Sequence, residues 1–280
     1  MALSSSPQFS VGAVLSTSLS VLLRNIVPFG VISIGLGIPL AILVIAGVVA
    51  LPAAGIAPGV QPGNLPPGLG ASLGIGVAIF FIVFLLTYFL TQTAINYGTF
   101  QDLRGQRSSI GECVSRGLGA LPRVILAILA LVLGFFVAGV VVALVLGLLA
   151  AITPVLSFLA MIPVFIGYIM LFLIWWVFVP VIVVEHAGPL ASFGRSRELT
   201  RGHRWGILAI LLLVIVGQIV VGLIVSILAS VAGAVIGQII NSLVTMFFTA
   251  LSGVLTAVGY YYLRAEKEGF GVDDLAKVFD

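Results

Sequence analysis

Residues 124 to 184 read VILAILALVLGFFVAGVVVALVLGLLAAITPVLSFLAMIPVFIGYIMLFLIWWVFVPVIVV, 61 consecutive positions without a charged side chain, bounded by Arg123 and Glu185. One crossing of a bilayer core takes about 20 apolar residues. The stretch is too long for one span and right for two, with a connection at 151 to 155. Working outward, the same pattern recurs on both sides. No charge falls between Arg24 and Asp102, a tract of 77 residues, or between Arg204 and Arg264, a tract of 59. Three hairpins predict six spans, at roughly 26–52, 73–97, 124–150, 156–184, 206–231 and 238–263.

Composition agrees. Of 280 residues, 61% are hydrophobic and only 8% charged, about a third of the globular norm. With a mean hydropathy of +1.32, too few charges remain to cover a water-facing surface, which excludes a soluble domain. The expected class is all-α integral membrane. Every charged segment then lies on one face, which carries all 12 Lys and Arg. The opposite connections, 53–72, 151–155 and 232–237, hold none. Basic residues beside span ends set orientation, so both termini are expected in the cytoplasm, in a bacterial inner membrane. The first ten residues lack Lys and Arg, and the first apolar tract starts too late and runs too long for a cleaved signal.

The chain also repeats. Ser10-Val11-Gly12, Ser109-Ile110-Gly111 and Ser192-Phe193-Gly194 each open a stretch that ends in a basic residue and enters a hairpin tract. Three parallel repeats are expected, approximately 8–97, 107–184 and 189–263, each an interfacial helix followed by a transmembrane hairpin. Together they make a membrane domain over 1–265. In the first copy Val11, Val14, Leu15, Leu19 and Leu22 form a helical stripe, and in the second Ile110, Cys113, Val114, Leu118 and Leu121 repeat its offsets. Both suit a helix lying flat at headgroup level; the alternative is a first turn or two of the following span. Gly117 and Gly119 weaken the second helix. Cys113, the single cysteine, is read as a packing residue.

The third copy replaces aliphatics with arginines. Its stripe is Phe193, Ser196, Arg197, Arg201 and Arg204, with Arg195 nearby. Guanidinium groups bind phosphate bidentately, so Arg195, Arg197, Arg201 and Arg204 form a candidate site for anionic lipid headgroups. The plainer reading is that they enforce topology and pair with Glu198.

Glu185, Gly188-Pro189, Arg195-Ser196, Leu199-Thr200-Arg201-Gly202 and Arg204-Trp205 together resemble the membrane domain attached to some bacterial glycerophosphodiester phosphodiesterases, and related stand-alone membrane proteins. The tail from Tyr262 to Gly269 is similar to the closing segment of that group. The resemblance rests on about 30 residues. It implies a shared fold, and it implies that phosphodiesterase chemistry belongs to a separate soluble domain, so that the membrane part alone is not the enzyme.

The residues argue against catalysis on their own account. Metal-assisted phosphodiester hydrolysis needs convergent carboxylates and histidines, whereas no acid or histidine falls within a span. Glu185, His186, Glu198 and His203 form the nearest cluster. No phosphate-binding Gly-rich loop is present, no cofactor is expected, and nucleic acid is not an expected partner; a lipid-modifying enzyme is the remote alternative. Polar residues within the spans, Thr91, Gln92, Asn96, Gln218 and Asn241, are expected in the bundle interior, where interhelical hydrogen bonds explain them without a substrate path. Pro39, Pro163 and Pro180 are expected to interrupt their spans. Trp205 and Tyr260 to Tyr262 suit the interfacial aromatic belt. The stretch 266–280, with Val272, Leu275, Ala276 and Phe279 in helical spacing, is expected to be a cytoplasmic tail ending in a short amphipathic helix. The expected role is a membrane-organising protein that binds lipid headgroups, a protein partner or its own copies through a basic cytoplasmic collar, the alternative being a transporter or channel for a small or lipid-like substrate.

Overall fold

The computed structural model describes residues 8–53 and 69–269. The first outer connection and the amphipathic tail fall largely or wholly outside the described residues. Among those residues nine helices occur and no strand: α1 (Val11–Arg24), α2 (Ile26–Ala53), α3 (Leu69–Leu103), α4 (Ile110–Ile152), α5 (Pro154–Ile174), α6 (Phe178–Glu185), α7 (Pro189–Thr200), α8 (Arg204–Ala232) and α9 (Ala234–Glu268). Six helical segments are long and apolar enough to cross a membrane, α5 and α6 together forming the fourth. Each charge-free tract holds two of these apolar segments, although α4 starts well before its tract and α3 and α9 run past the charges that bound theirs, so the chain is an all-helical multi-pass membrane protein.

Apolar side chains on the outer faces are consistent with lipid as solvent. Val27, Leu133, Phe136, Leu148 and Phe165 are each about 60–70% exposed, which water would not tolerate over so many contiguous positions. The returning helices take the centre. In α3 every residue from Thr91 to Phe100 is buried, and α9 buries Val254, Leu255, Ala257, Val258 and Tyr260 against it. Glycines permit the close approaches: a Cβ on Gly253 would sit 2.9 Å from Gln92 Oε1, and one on Gly259 only 2.5 Å from the Trp176 ring. At the α8–α9 turn a Cβ on Gly237 would meet that of Ala229 at 2.3 Å, the close packing expected of spaced small residues.

The segments preceding each hairpin depart from expectation in different ways. α1 is a separate helix, N-capped by the Ser10 hydroxyl, but it buries Val14, Ser18, Val21 and Leu22 while Leu19 is 42% exposed. Its Thr17 hydroxyl meets that of Tyr262 at 3.0 Å, so this helix packs on α9 as well as facing outward. The second segment is no separate helix. It runs unbroken through Pro122 into the span as one 43-residue helix, because proline disturbs only the local hydrogen bond when neighbouring helices hold both sides. Its buried stripe is Cys113, Gly117, Ala120 and Val124, rather than the wider aliphatic one. Gly117 lies against α3, where a Cβ would come within 3.0 Å of Thr93 Oγ1. This glycine trades helix propensity for helix-to-helix contact.

Candidate functional site

The fourth span breaks at Trp175–Val177. Pro180 has no N–H for the carbonyl four residues earlier, and its ring crowds that carbonyl; it is accommodated in the first turn of α6. Pro39 and Pro163, by contrast, lie inside continuous helices α2 and α5. The break turns the amide of Phe178 to the Trp175 carbonyl at 3.2 Å, which deprives the Ile174 carbonyl of its helical partner. α7 supplies replacements: Ser196 Oγ donates to it at 2.8 Å, and the Thr200 hydroxyl lies within reach at 3.2 Å, its one proton shared with the nearer Ser196 carbonyl at 2.9 Å. Ser196 and Thr200 share the buried face of α7 with Ser192 and Leu199. Much of the motif that stood out in the sequence thus caps a broken helix.

One residue before Ser196, Arg195 ties the charged end together. Its Nε donates to both oxygens of Glu185 at 3.1 Å, its guanidinium reaches Glu198 at 3.2 Å, and a third contact goes to Glu268 at the end of α9. Tyr260 Oη donates to Glu185 at 2.7 Å and accepts from Arg264 at 3.0 Å, while Arg264 also pairs with Glu268 at 2.8 Å. Partial burial works against the Arg195 charge, but the Glu185 and Glu198 carboxylates outweigh it and raise its pKa above the ordinary arginine value. Arg195 therefore remains a cation throughout the accessible pH range. Glu266 accepts from the Phe9 amide at 2.7 Å and faces His203 Nε2 at 3.2 Å, which fastens the start of α1 to the same knot. Arg24 and Asp102 close the opposite side at 2.6 Å.

These contacts rearrange the candidate residues. α7 ends at Thr200, and Gly202 turns the chain at φ +96° before α8 starts at Arg204. Arg197, Arg201 and Arg204 consequently occupy a helix, a turn and a second helix, and share no single helical face. Arg195 is engaged by three carboxylates, the Glu198 pairing among them. The cluster of Glu185, His186, Glu198 and His203 does not converge: the two acids meet on Arg195, His186 turns to Arg123, and His203 turns to Glu266. Trp205 is 74% exposed, as a belt residue should be, but Tyr260 is fully buried because its hydroxyl has a carboxylate to satisfy inside.

Within the spans, Thr91, Gln92 and Asn96 are buried together on α3. Gln92 Nε2 donates to the Thr249 carbonyl of α9 at 3.3 Å. Gln218 and Asn241 are not interior. Gln218 is exposed on α8, about 50° round from the centre of the inward stripe of Ile207, Ile210, Val214 and Val221, on a stretch whose neighbours Ile219 and Val220 are exposed as well. Asn241 lines a groove of ≈ 710 Å³ between α2, α3 and α9, with Thr87, Thr91, Gln238 and Thr245 on its polar side and Leu40 and Val44 on the other. A second cavity of ≈ 310 Å³ lies deeper, walled by Phe89, Phe135, Trp175, Trp176 and Phe178, with Gln92, Ser252 and Thr256 as polar members.

Residues 104–265 match the model of a family described as a domain of unknown function, DUF7847. The chain belongs to that family. The matched region runs from the end of α3 nearly to the end of α9, and so includes the helix break, its caps and Glu185, Arg195 and Tyr260; Glu266 and Glu268 lie just past it. No curated protein and no solved structure gives a significant match to the chain.

Proposed function

We propose that this is a non-catalytic membrane-organising protein, inserted in a bacterial inner membrane with both termini in the cytoplasm, which binds anionic lipid headgroups or a protein partner through a basic collar. The three-repeat plan, and kinship with the membrane domains attached to glycerophosphodiester phosphodiesterases, belong to the same reading. One observation carries it. All six carboxylates among the described residues are engaged by internal partners, whereas Arg107, Arg116, Arg197 and Arg201 make no salt bridge among those residues. Folding consumes the negative charge and leaves positive charge outward, at the ends of the spans where headgroups lie. Each basic residue near an anionic surface is worth about 1 kcal/mol. Changing Arg197, Arg201 and Arg204 to Gln together is expected to weaken retention of phosphatidylglycerol over phosphatidylcholine in mixed micelles by roughly two orders of magnitude at low salt. Unchanged retention overturns the collar.

Transport of a lipid-like substrate is the second reading, and the groove beside Asn241 favours it, since one aliphatic and one polar wall suit an amphiphile. Filling the groove with Asn241→Leu and Thr245→Leu is expected to abolish movement of a fluorescent lipid between leaflets of reconstituted vesicles, if transport is the function. The aromatic walls of the inner cavity weigh against a hydrated ion path.

A further inference from the structure

A third cavity, of ≈ 490 Å³, opens at the charged end between α3, α4 and α6, lined by Tyr97, Ser115, Arg116, Gly119, Arg123 and His186 among others. We propose that it binds a phosphate-bearing anion, either the headgroup of an anionic phospholipid or a soluble phosphate. The site shares Arg116 with the collar and so deepens that reading, but it lies apart from the turn that holds Arg197 and Arg201, and the variants that test the two fail separately.

Charge is the first ground. Arg116 and Arg123 are seven residues apart on one helix, two turns and the same face, and no carboxylate lines the cavity. Two nearby acids already have partners, Glu112 on the cavity-lining Tyr97 and Glu185 away from the cavity. Glu112, one turn before Arg116, accepts the Tyr97 hydroxyl at 2.7 Å and makes no ion pair with that arginine; the Arg116 guanidinium instead lies 6.0 Å from the centre of the Tyr97 ring. Glu185, adjacent to His186, is taken by Arg195 and Tyr260.

The lining groups also form a donor set. Arg123 Nη1 approaches His186 Nδ1 at 3.5 Å. Arginine only donates, so in this contact Nδ1 takes the acceptor role, and the Ser115 hydroxyl adds a donor to the two guanidinium groups. His186 caps α6 at φ 51°, the single non-glycine positive φ among the described residues. That conformation costs a side-chain-bearing residue about 1 kcal/mol or more, where glycine would be free of the strain. The imidazole is thus held beside Arg123 against a local backbone preference.

Gly119 supplies the third ground. Unlike Gly117, a Cβ there would meet nothing within 4 Å, so helix packing does not explain a residue that weakens α4 by roughly 1 kcal/mol relative to alanine. Its missing side chain keeps the cavity open. Depth is suitable as well. α4 has 43 residues, about 65 Å against a hydrocarbon core of about 30 Å. Arg116 and Arg123 lie just before its uncharged stretch begins at Val124, the level at which phosphate groups of a bilayer sit.

The test uses the full chain in phosphatidylcholine nanodiscs doped with phosphatidylglycerol. Bound lipid is counted by native mass spectrometry, and thermal unfolding checks each variant. Arg116→Gln with Arg123→Gln is expected to weaken phosphatidylglycerol binding roughly tenfold or more. Gly119→Leu, which alters no charge and favours the helix, is expected to do the same by filling the cavity, with no loss of thermal stability. His186→Gly is expected to stabilise the fold yet weaken binding. Inorganic phosphate that displaces the lipid, and stabilises the protein in pure phosphatidylcholine, identifies a site open to the soluble anion; absence of that effect with lipid binding intact assigns it to the headgroup. Should Gly119→Leu bind as wild type, whether or not the arginine variant weakens, the cavity is not the site and the inference is overturned.

Discussion

Arg195 shows how a single side chain decides the behaviour of its surroundings. Flexible and exposed, it would be one more topogenic charge; placed between α6, α7 and α9 it satisfies three carboxylates whose own exposure is small for Glu185 and Glu268. Arg195→Gln leaves these acids close together with Arg264, on Glu268, as the remaining counter-charge, and is expected to cost about 2–3 kcal/mol, read as a lower melting temperature in detergent; a change within experimental error contradicts the assignment. Arg195→Lys keeps the charge but loses the planar fork and is expected to recover only part of that stability. Tyr260→Phe removes one hydrogen bond to a carboxylate and is expected to cost about 1.5–3 kcal/mol. The sequence made these residues visible as a motif, yet their partners were hidden, since Glu185, Arg195 and Glu268 are brought together only by the packing of three helices. Gly202 carried the one local signal that separates Arg197 from Arg204: a glycine between two periodic segments marks a helix end as readily as a helical position.

At the level of helices, charge-free tracts proved a better guide than side-chain stripes. Span limits follow from a large and additive energy, the exclusion of charge from hydrocarbon, so they are legible in one dimension. Which face of a helix is buried depends on neighbours. In a membrane both neighbours and solvent are apolar, so hydrophobic periodicity loses its meaning; small residues such as Gly117 and hydroxyls such as Ser196 mark the contacts instead. The Trp175–Val177 break illustrates the point, as Pro180 announces it and the donors that repair it lie on a different helix. Ser196→Ala combined with Thr200→Val is expected to strand the Ile174 carbonyl, costing about 1–3 kcal/mol. Hydrogen exchange should then rise in α6 and α7 ahead of α3; uniform protection in the variant would contradict the capping role. Gly259→Ala should drive a methyl into Trp176, with about 1–3 kcal/mol lost to overpacking.

For the whole molecule, folding acts as a sorting of charge. Carboxylates are taken by Arg24, Arg195, His203 and Arg264, while Arg107, Arg116, Arg197 and Arg201 make no salt bridge among the described residues. Net charge supports this, the full chain carrying +3 at neutral pH, but the distribution matters more than the sum. This account requires every charged segment to occupy one aqueous compartment. Single cysteines placed at Arg107, Arg201, Lys267 and Thr153, in a chain with Cys113→Ala, test it directly with a membrane-impermeant maleimide applied to sealed cells. The first three are expected to react only after permeabilisation and Thr153 from outside; reaction of any of the three from the same side as Thr153 contradicts the account.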